Sequence, residues 1–94
     1  MIKIISEPGY IGAFTREHAE GALPNGARVV KRNSEEKDPR PNGSLGTVLG
    51  SIDGSLIDTG LMLRFKARYM YFIEWDDAPR VAVGVIDWKV TGAS

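Results

Sequence analysis

The strict alternation of side chains from residue 69 to residue 85 most constrains the fold of this chain. In an extended strand, successive side chains point to opposite faces of the sheet. One face of the run 69–75 therefore carries Tyr, Tyr, Ile and Trp, and one face of the run 80–85 carries three valines. The short segment 76–79 separates the two runs, so the pattern predicts a β-hairpin.

The sequence WDDAPR at the junction of the two runs has two interpretations. Asp and Pro are common in turns, and Pro79 lies where no ladder hydrogen bond is required, so the simpler interpretation is a tight connection. In the second interpretation, Asp76, Asp77 and Arg80 are exposed at the tip of the hairpin and bind a partner.

Strand patterns also occur on either side of this hairpin. The predicted strands are 27–33, 45–52, 67–75, 80–85 and 88–92.

Two other segments do not have a strand pattern. The segment 34–44 is a polar loop without an apolar anchor, and we expect it to be the most mobile internal segment. Residues 13–20 are the one stretch with helical character, because Gly21 and Pro24 would end a short helix there.

A chain of 94 residues forms one domain. Five short strands with one long loop after the first predict a mostly β fold, in the form of a small five-stranded barrel. The predicted barrel covers residues 26–94, and residues 1–25 form an N-terminal extension. The chain has no cysteine, which excludes disulfides and thiolate chemistry.

The order of these elements resembles that of SH3-like barrels. The likeness lies in Gly46-Thr47-Val48, in YFIEW at 71–75, and in VIDW at 85–88, which matches the 3₁₀ turn before the last strand of such barrels. The chain is similar to small uncharacterised bacterial SH3-like proteins, and more distantly to the C-terminal domain of the nitrile hydratase β subunit. This resemblance covers residues 26–92. It implies a fold and no metal site, because nitrile hydratase holds its metal on the other subunit.

The sequence carries no motif of a catalytic, cofactor-binding or metal-binding site. His18 is the only histidine, and it lies in the possible helix without a second histidine four residues away. Asp76 and Asp77 are adjacent and lack the spacing of a calcium loop. We therefore expect a protein that is not an enzyme and that binds no cofactor.

The balance of charges disfavours a nucleic-acid binder. Twelve basic and twelve acidic side chains cancel, whereas phosphate binding usually requires a basic excess. Two local basic runs, at 28–40 and 64–68, keep an RNA- or DNA-associated module of the KOW type as an alternative. No apolar run approaches the roughly 20 residues that span a bilayer, so we expect no membrane association and a cytoplasmic location.

The aromatic residues favour a protein partner. We expect Trp75 to lie at the rim, because it ends its strand, and Trp88 to pack more deeply. Aromatic rings beside arginine are typical of interaction sites, so we predict a non-enzymatic module that binds a protein, or an accessory subunit of a larger enzyme. The candidate partner-binding residues are Tyr69, Trp75, Asp76, Asp77, Arg80 and Arg64.

Overall fold

The computed structural model describes residues 3–54 and 66–93, and there the chain is mostly β. The strands in these ranges are β1 (Arg28–Lys31), β2 (Leu45–Asp53), β3 (Tyr69–Trp75), β4 (Val83–Ile86) and β5 (Val90–Gly92). They form one antiparallel sheet in the order β4-β3-β2-β1-β5. A 3₁₀ turn at Asp87–Lys89 joins β4 to β5. These two are the terminal strands and, among the described residues, do not pair with each other.

The alternation predicted for β3 is confirmed. Every second residue from Tyr69 to Trp75 is buried, and the residues between them are partly exposed. The buried face packs against valines from β1, β2 and β5, which together form the main core. β2 runs beside β3 for most of its length and shifts register between Val48 and Gly50, where such a bulge bends a strand.

The segment WDDAPR is a turn, as the simpler interpretation predicted. The Ala78 N–H donates to the Trp75 carbonyl at 3.0 Å and begins the connection. The following strand starts at Val83 and not at residue 80 as predicted, because Arg80 adopts a left-handed φ of 67°. Residues 80–82 instead pair with the N-terminal segment through Ile11.

The helix predicted at 13–20 is wrong. The Ser51 N–H of β2 donates to the Glu17 carbonyl at 2.8 Å, and the Ala19 N–H donates to Ser51 Oγ at 2.9 Å. Phe14 forms an isolated antiparallel bridge with Ile5. These tertiary hydrogen bonds occupy backbone groups that a helix would use for itself, so they override a weak helical propensity.

The N-terminal residues pack firmly against the sheet. Phe14 and Thr15 are both 0% exposed, and the Tyr10 ring lies 5.1 Å from the Phe14 ring. Gly50 makes this contact possible, since a Cβ atom there would lie 1.8 Å from the Thr15 carbonyl oxygen. The segment predicted as an extension therefore contributes buried residues to the domain.

Replacing Gly50 with alanine should displace the N-terminal segment, because the added methyl group meets backbone that cannot yield. We expect a loss of about 1–3 kcal/mol in the free energy of unfolding, typical of overpacking. Protease cleavage before residue 25 should also accelerate. Gly84→Ala is the matched control, because its Cβ would make ordinary contacts, the nearest at 3.5 Å from Met70 Sδ. Equal urea midpoints for the two variants would contradict this packing.

The expected positions of the two tryptophans are reversed. Trp75 is only 2% exposed and belongs to the main core, whereas Trp88 is half-buried in the 3₁₀ turn. The prediction treated the end of a strand as the rim of the fold. It was wrong because the loop between β1 and β2 folds back over Trp75 and places Arg40 above its ring.

Truncation of the tryptophans should follow the observed burial. Trp75→Ala should cost about 3–5 kcal/mol of unfolding free energy, as large buried aromatics do. Trp88→Ala should cost clearly less. Urea unfolding of the two variants measures the difference, and a larger loss for Trp88→Ala would show that the burial is misassigned.

Candidate functional site

A groove of about 510 Å³ lies between β4 and the loop that joins β1 to β2. We call it the β4 groove. Its floor is apolar and includes Trp75, Val83 and Val85. The loop residues 35 and 38–40 form the facing wall, and two lysines lie at the remaining side. An apolar floor with a few polar groups at the edge is the usual composition of a binding pocket of this size.

Trp75 reaches the groove floor because Gly46 lies opposite it on β2. A Cβ atom at Gly46 would lie 2.9 Å from Trp75 Cε3 and 2.8 Å from Ile73 Cγ2, so a larger residue would push the indole away. The Arg40 guanidinium lies over the ring, 5.5 Å from its centroid. Cation–π attraction of this kind adds to the packing.

Asp38 is the centre of the polar wall. It accepts hydrogen bonds from Lys89 Nζ, from the Glu35 N–H at 2.8 Å and from Lys31 Nζ at 3.4 Å. The hydrogen bond from Lys89, and then the one from the Glu35 amide, lower the pKa of Asp38 to about 2 despite some desolvation. Asp38 therefore stays ionised at any ordinary pH and links the loop to β1 and to the 3₁₀ turn.

Lys31 is a buried cation, 5% exposed, that shares the inward face of β1 with Val29. Its ammonium group donates to Ser34 Oγ at 2.7 Å and to the Arg32 carbonyl at 3.1 Å, as well as to Asp38. Burying a charge requires such partners. The loop therefore has polar attachments that the sequence did not reveal, and its expected mobility stays a prediction.

The candidate residues at the hairpin tip are engaged in separate pairs. Asp76 binds Arg28 with an Oδ2–Nη2 distance of 2.5 Å, which lowers the pKa of Asp76. Asp77 pairs with Arg40 and so lies next to the groove wall. Arg80 stacks on the Tyr10 ring at 5.2 Å and is not among the groove residues.

The other candidates have different positions. Trp75 lines the groove but is only 2% exposed, so it offers a partner almost no surface. Tyr69 is 9% exposed, and its hydroxyl donates to the Glu20 carbonyl at 2.8 Å, so it serves the core more than a surface. Arg64 lies outside the described residues.

Sequence reasoning missed most of the groove. One signal was present: Lys31 follows Val29 at a spacing of two, so alternation places a lysine on the inward face of β1. A loop that contains acids follows directly, which would have predicted an internal ion pair. The missed residues are Lys31, Glu35, Asp38, Arg40, Val83, Val85 and Lys89.

No protein-family model, curated protein or solved structure matches this chain. Within residues 3–54 and 66–93, no group of three or more His, Cys, Asp or Glu side chains is placed to hold a metal ion. In the same ranges, no helix is long and apolar enough to cross a membrane. The case for a site therefore depends on the geometry of the β4 groove.

Asp38 should make stability depend on pH in the acid range. The folded pKa of about 2 lies below the value of about 3.9 for an unfolded aspartate. The contribution of the Asp38 carboxylate to the free energy of unfolding is therefore complete above about pH 4 and is lost as the pH falls toward 2. Asp38→Asn should unfold at a lower urea concentration at pH 7, and the gap from the wild type should close between these two pH values.

Glu36→Gln is the control for this experiment, because Glu36 is an exposed acid on the same loop. It should follow the wild-type curve throughout. A gap between wild type and Asp38→Asn that persists unchanged at pH 2 would contradict the role of the carboxylate.

Proposed function

We propose that this protein is a non-enzymatic interaction module that binds a protein partner at the β4 groove. The observation that carries the proposal is an apolar, tryptophan-containing floor beside a terminal strand, with an arginine at its wall. Aromatic and arginine residues are enriched where proteins bind each other, and a central apolar patch with a polar rim is the usual arrangement. An accessory subunit of a larger enzyme is one form of the same proposal.

We also propose that the sheet curls into an SH3-like barrel. The strand order β4-β3-β2-β1-β5, the bulge in the long β2 and the 3₁₀ turn before the last strand support it. Residues from β1, from the 3₁₀ turn and from β4 all line the β4 groove. The groove would then lie at the opening of the barrel, between its terminal strands.

The ion pairs favour a protein over a nucleic acid as the partner. Arg28 pairs with Asp76, Arg40 pairs with Asp77, and both groove lysines bind Asp38. These cations would have to abandon internal partners before they could neutralise phosphates. Trp75, which is covered by Arg40, has no open ring face on which a base could stack.

Capture of a partner from the source cells tests the function. Immobilised wild-type protein is compared with Val83→Asp, which places a charge on the groove floor, and with the milder Val83→Ala. Ile11→Asp is the matched control, because Ile11 is 70% exposed and lies outside the groove. Circular dichroism and urea midpoints verify that each variant is folded.

A captured protein must then be purified and titrated. We expect Val83→Asp to weaken its binding by about tenfold or more and Ile11→Asp to leave it unchanged. Binding should vary little between about 50 and 200 mM salt, whereas nucleic-acid binding would fall steeply over that range. A ligand that is destroyed by nuclease, or a partner indifferent to Val83→Asp, would contradict the proposal.

A further inference from the structure

Among the described residues, the outer edge of β4 is open for pairing. β4 is a terminal strand of the sheet that residues 3–54 and 66–93 form, with β3 on one side only. Backbone groups alternate between the two sides of a strand, and the Tyr69 N–H points to the β4 side, where it donates to Asp87 Oδ2 at 3.0 Å. Met70 and Phe72, at odd spacing from Tyr69, therefore direct their backbone groups away from β4. Gly84 and Ile86 lie opposite these two residues, so they direct their own N–H and C=O groups away from β3.

The N-terminal segment uses the beginning of this same row. The Ile11 N–H donates to the Arg80 carbonyl at 2.7 Å, and the Ala82 N–H donates to the Ile11 carbonyl at 2.9 Å. The contact ends there. In the described part of the chain, Gly84 has no backbone partner on that side. The Ile86 C=O is the N-cap carbonyl and accepts the first hydrogen bond of the 3₁₀ turn, which leaves the Ile86 N–H. The row thus already accepts extended chain at one end and, within the described residues, offers Gly84 and the Ile86 N–H at the other.

One unsatisfied donor in the groove beside this row favours an acidic ligand. The net charge does not decide it: the described lining has three cations, Lys31, Arg40 and Lys89, and these are balanced by Glu35, Asp38 and the Asp77 that pairs with Arg40 Nη1. Asp38 is already held by both lysines. Arg40 Nε is buried without a hydrogen-bond partner, an arrangement that costs free energy until an acceptor arrives. A carboxylate in the groove would supply that acceptor.

Resting on the proposed protein-binding function, we propose that the partner contributes an extended acidic segment that pairs with β4 as an added strand. Its backbone hydrogen-bonds to Gly84 and to the Ile86 N–H, and one acidic side chain accepts from Arg40 Nε. Alternate residues of the segment then contact Val83 and Val85 on the groove floor. In strand addition, main-chain bonds supply affinity and the alternate side chains supply specificity.

The backbone part of the proposal is tested with two variants of Gly84. Gly84→Pro removes the outward N–H and keeps the ladder to β3, which is why proline is tolerated on edge strands. Gly84→Ala keeps the N–H, and its methyl group makes ordinary contacts. The probe is a fluorescein-labelled peptide of about seven residues, a common strand length, with alternating valine and threonine and a central glutamate.

Fluorescence anisotropy measures the affinity of each protein for this peptide. The affinities of the wild type and of Gly84→Ala should agree within about twofold. The affinity of Gly84→Pro should be weaker by about tenfold, as expected for a lost backbone hydrogen bond. The same peptide with N-methylated alternate amides should bind weakly to all three proteins. Equal binding to Gly84→Pro and Gly84→Ala, with unchanged urea midpoints, would overturn the strand addition. Absence of peptide binding to the wild type would overturn it as well.

The charge part is tested by the ratio of two affinities. The glutamate peptide should bind the wild type more tightly than a matched glutamine peptide, and Arg40→Gln should abolish that preference. Because the readout is a ratio, a general loss of groove structure does not imitate it. An unchanged preference in Arg40→Gln would overturn the role of Arg40.

The outcome is separable from that of the proposed function. A partner that loses affinity with Val83→Asp but not with Gly84→Pro binds at the groove without adding a strand. That result would sustain the function and overturn the present inference. A partner that is insensitive to both variants would overturn both.

Discussion

The close approach of the Trp75 indole to Gly46 is the contact on which the rest of the site depends. The ring can lie against β2 only because Gly46 has no side chain. In that position it fills the core from one side and forms the floor of the β4 groove on the other. Stability and binding surface are therefore coupled through one side chain, so the ring cannot be altered for one role without affecting the other.

The polar wall follows from the same arrangement. Arg40 lies over the ring and pairs with Asp77 of the hairpin turn, while Asp38 connects the loop to Lys31 and Lys89. The loop that contains both residues is thus attached to three other parts of the domain. Charged groups of the loop and of the residues that it contacts therefore line one side of the groove.

Local pattern was sufficient to predict much of the sheet. The buried face of β3 and the turn that follows it depend on alternation and on turn residues, which are visible in a short stretch of sequence. The 3₁₀ turn at Asp87–Lys89 falls where the resemblance to SH3-like barrels placed one. These features need no knowledge of distant contacts.

The wrong predictions mostly concern distant contacts; the start of β4 is the exception, because it follows from the left-handed φ of Arg80. No helix forms at 13–20 because its backbone bonds to Ser51, far along the chain. Trp75 is buried by Arg40, which comes from a loop that sequence alone gave no reason to fold over the hairpin. The groove was missed for the same reason, since its two walls are separated by more than forty residues.

Nuclear Overhauser contacts from the Trp75 indole are the sharpest test of this packing. We expect strong contacts from the indole protons to the Gly46 α-protons and to the Arg40 side chain in the same free protein. Contacts to Gly46 show that the ring lies in the core, and contacts to Arg40 show that the loop closes the groove above it. An indole that contacts neither residue and is quenched by water-borne iodide would contradict the account.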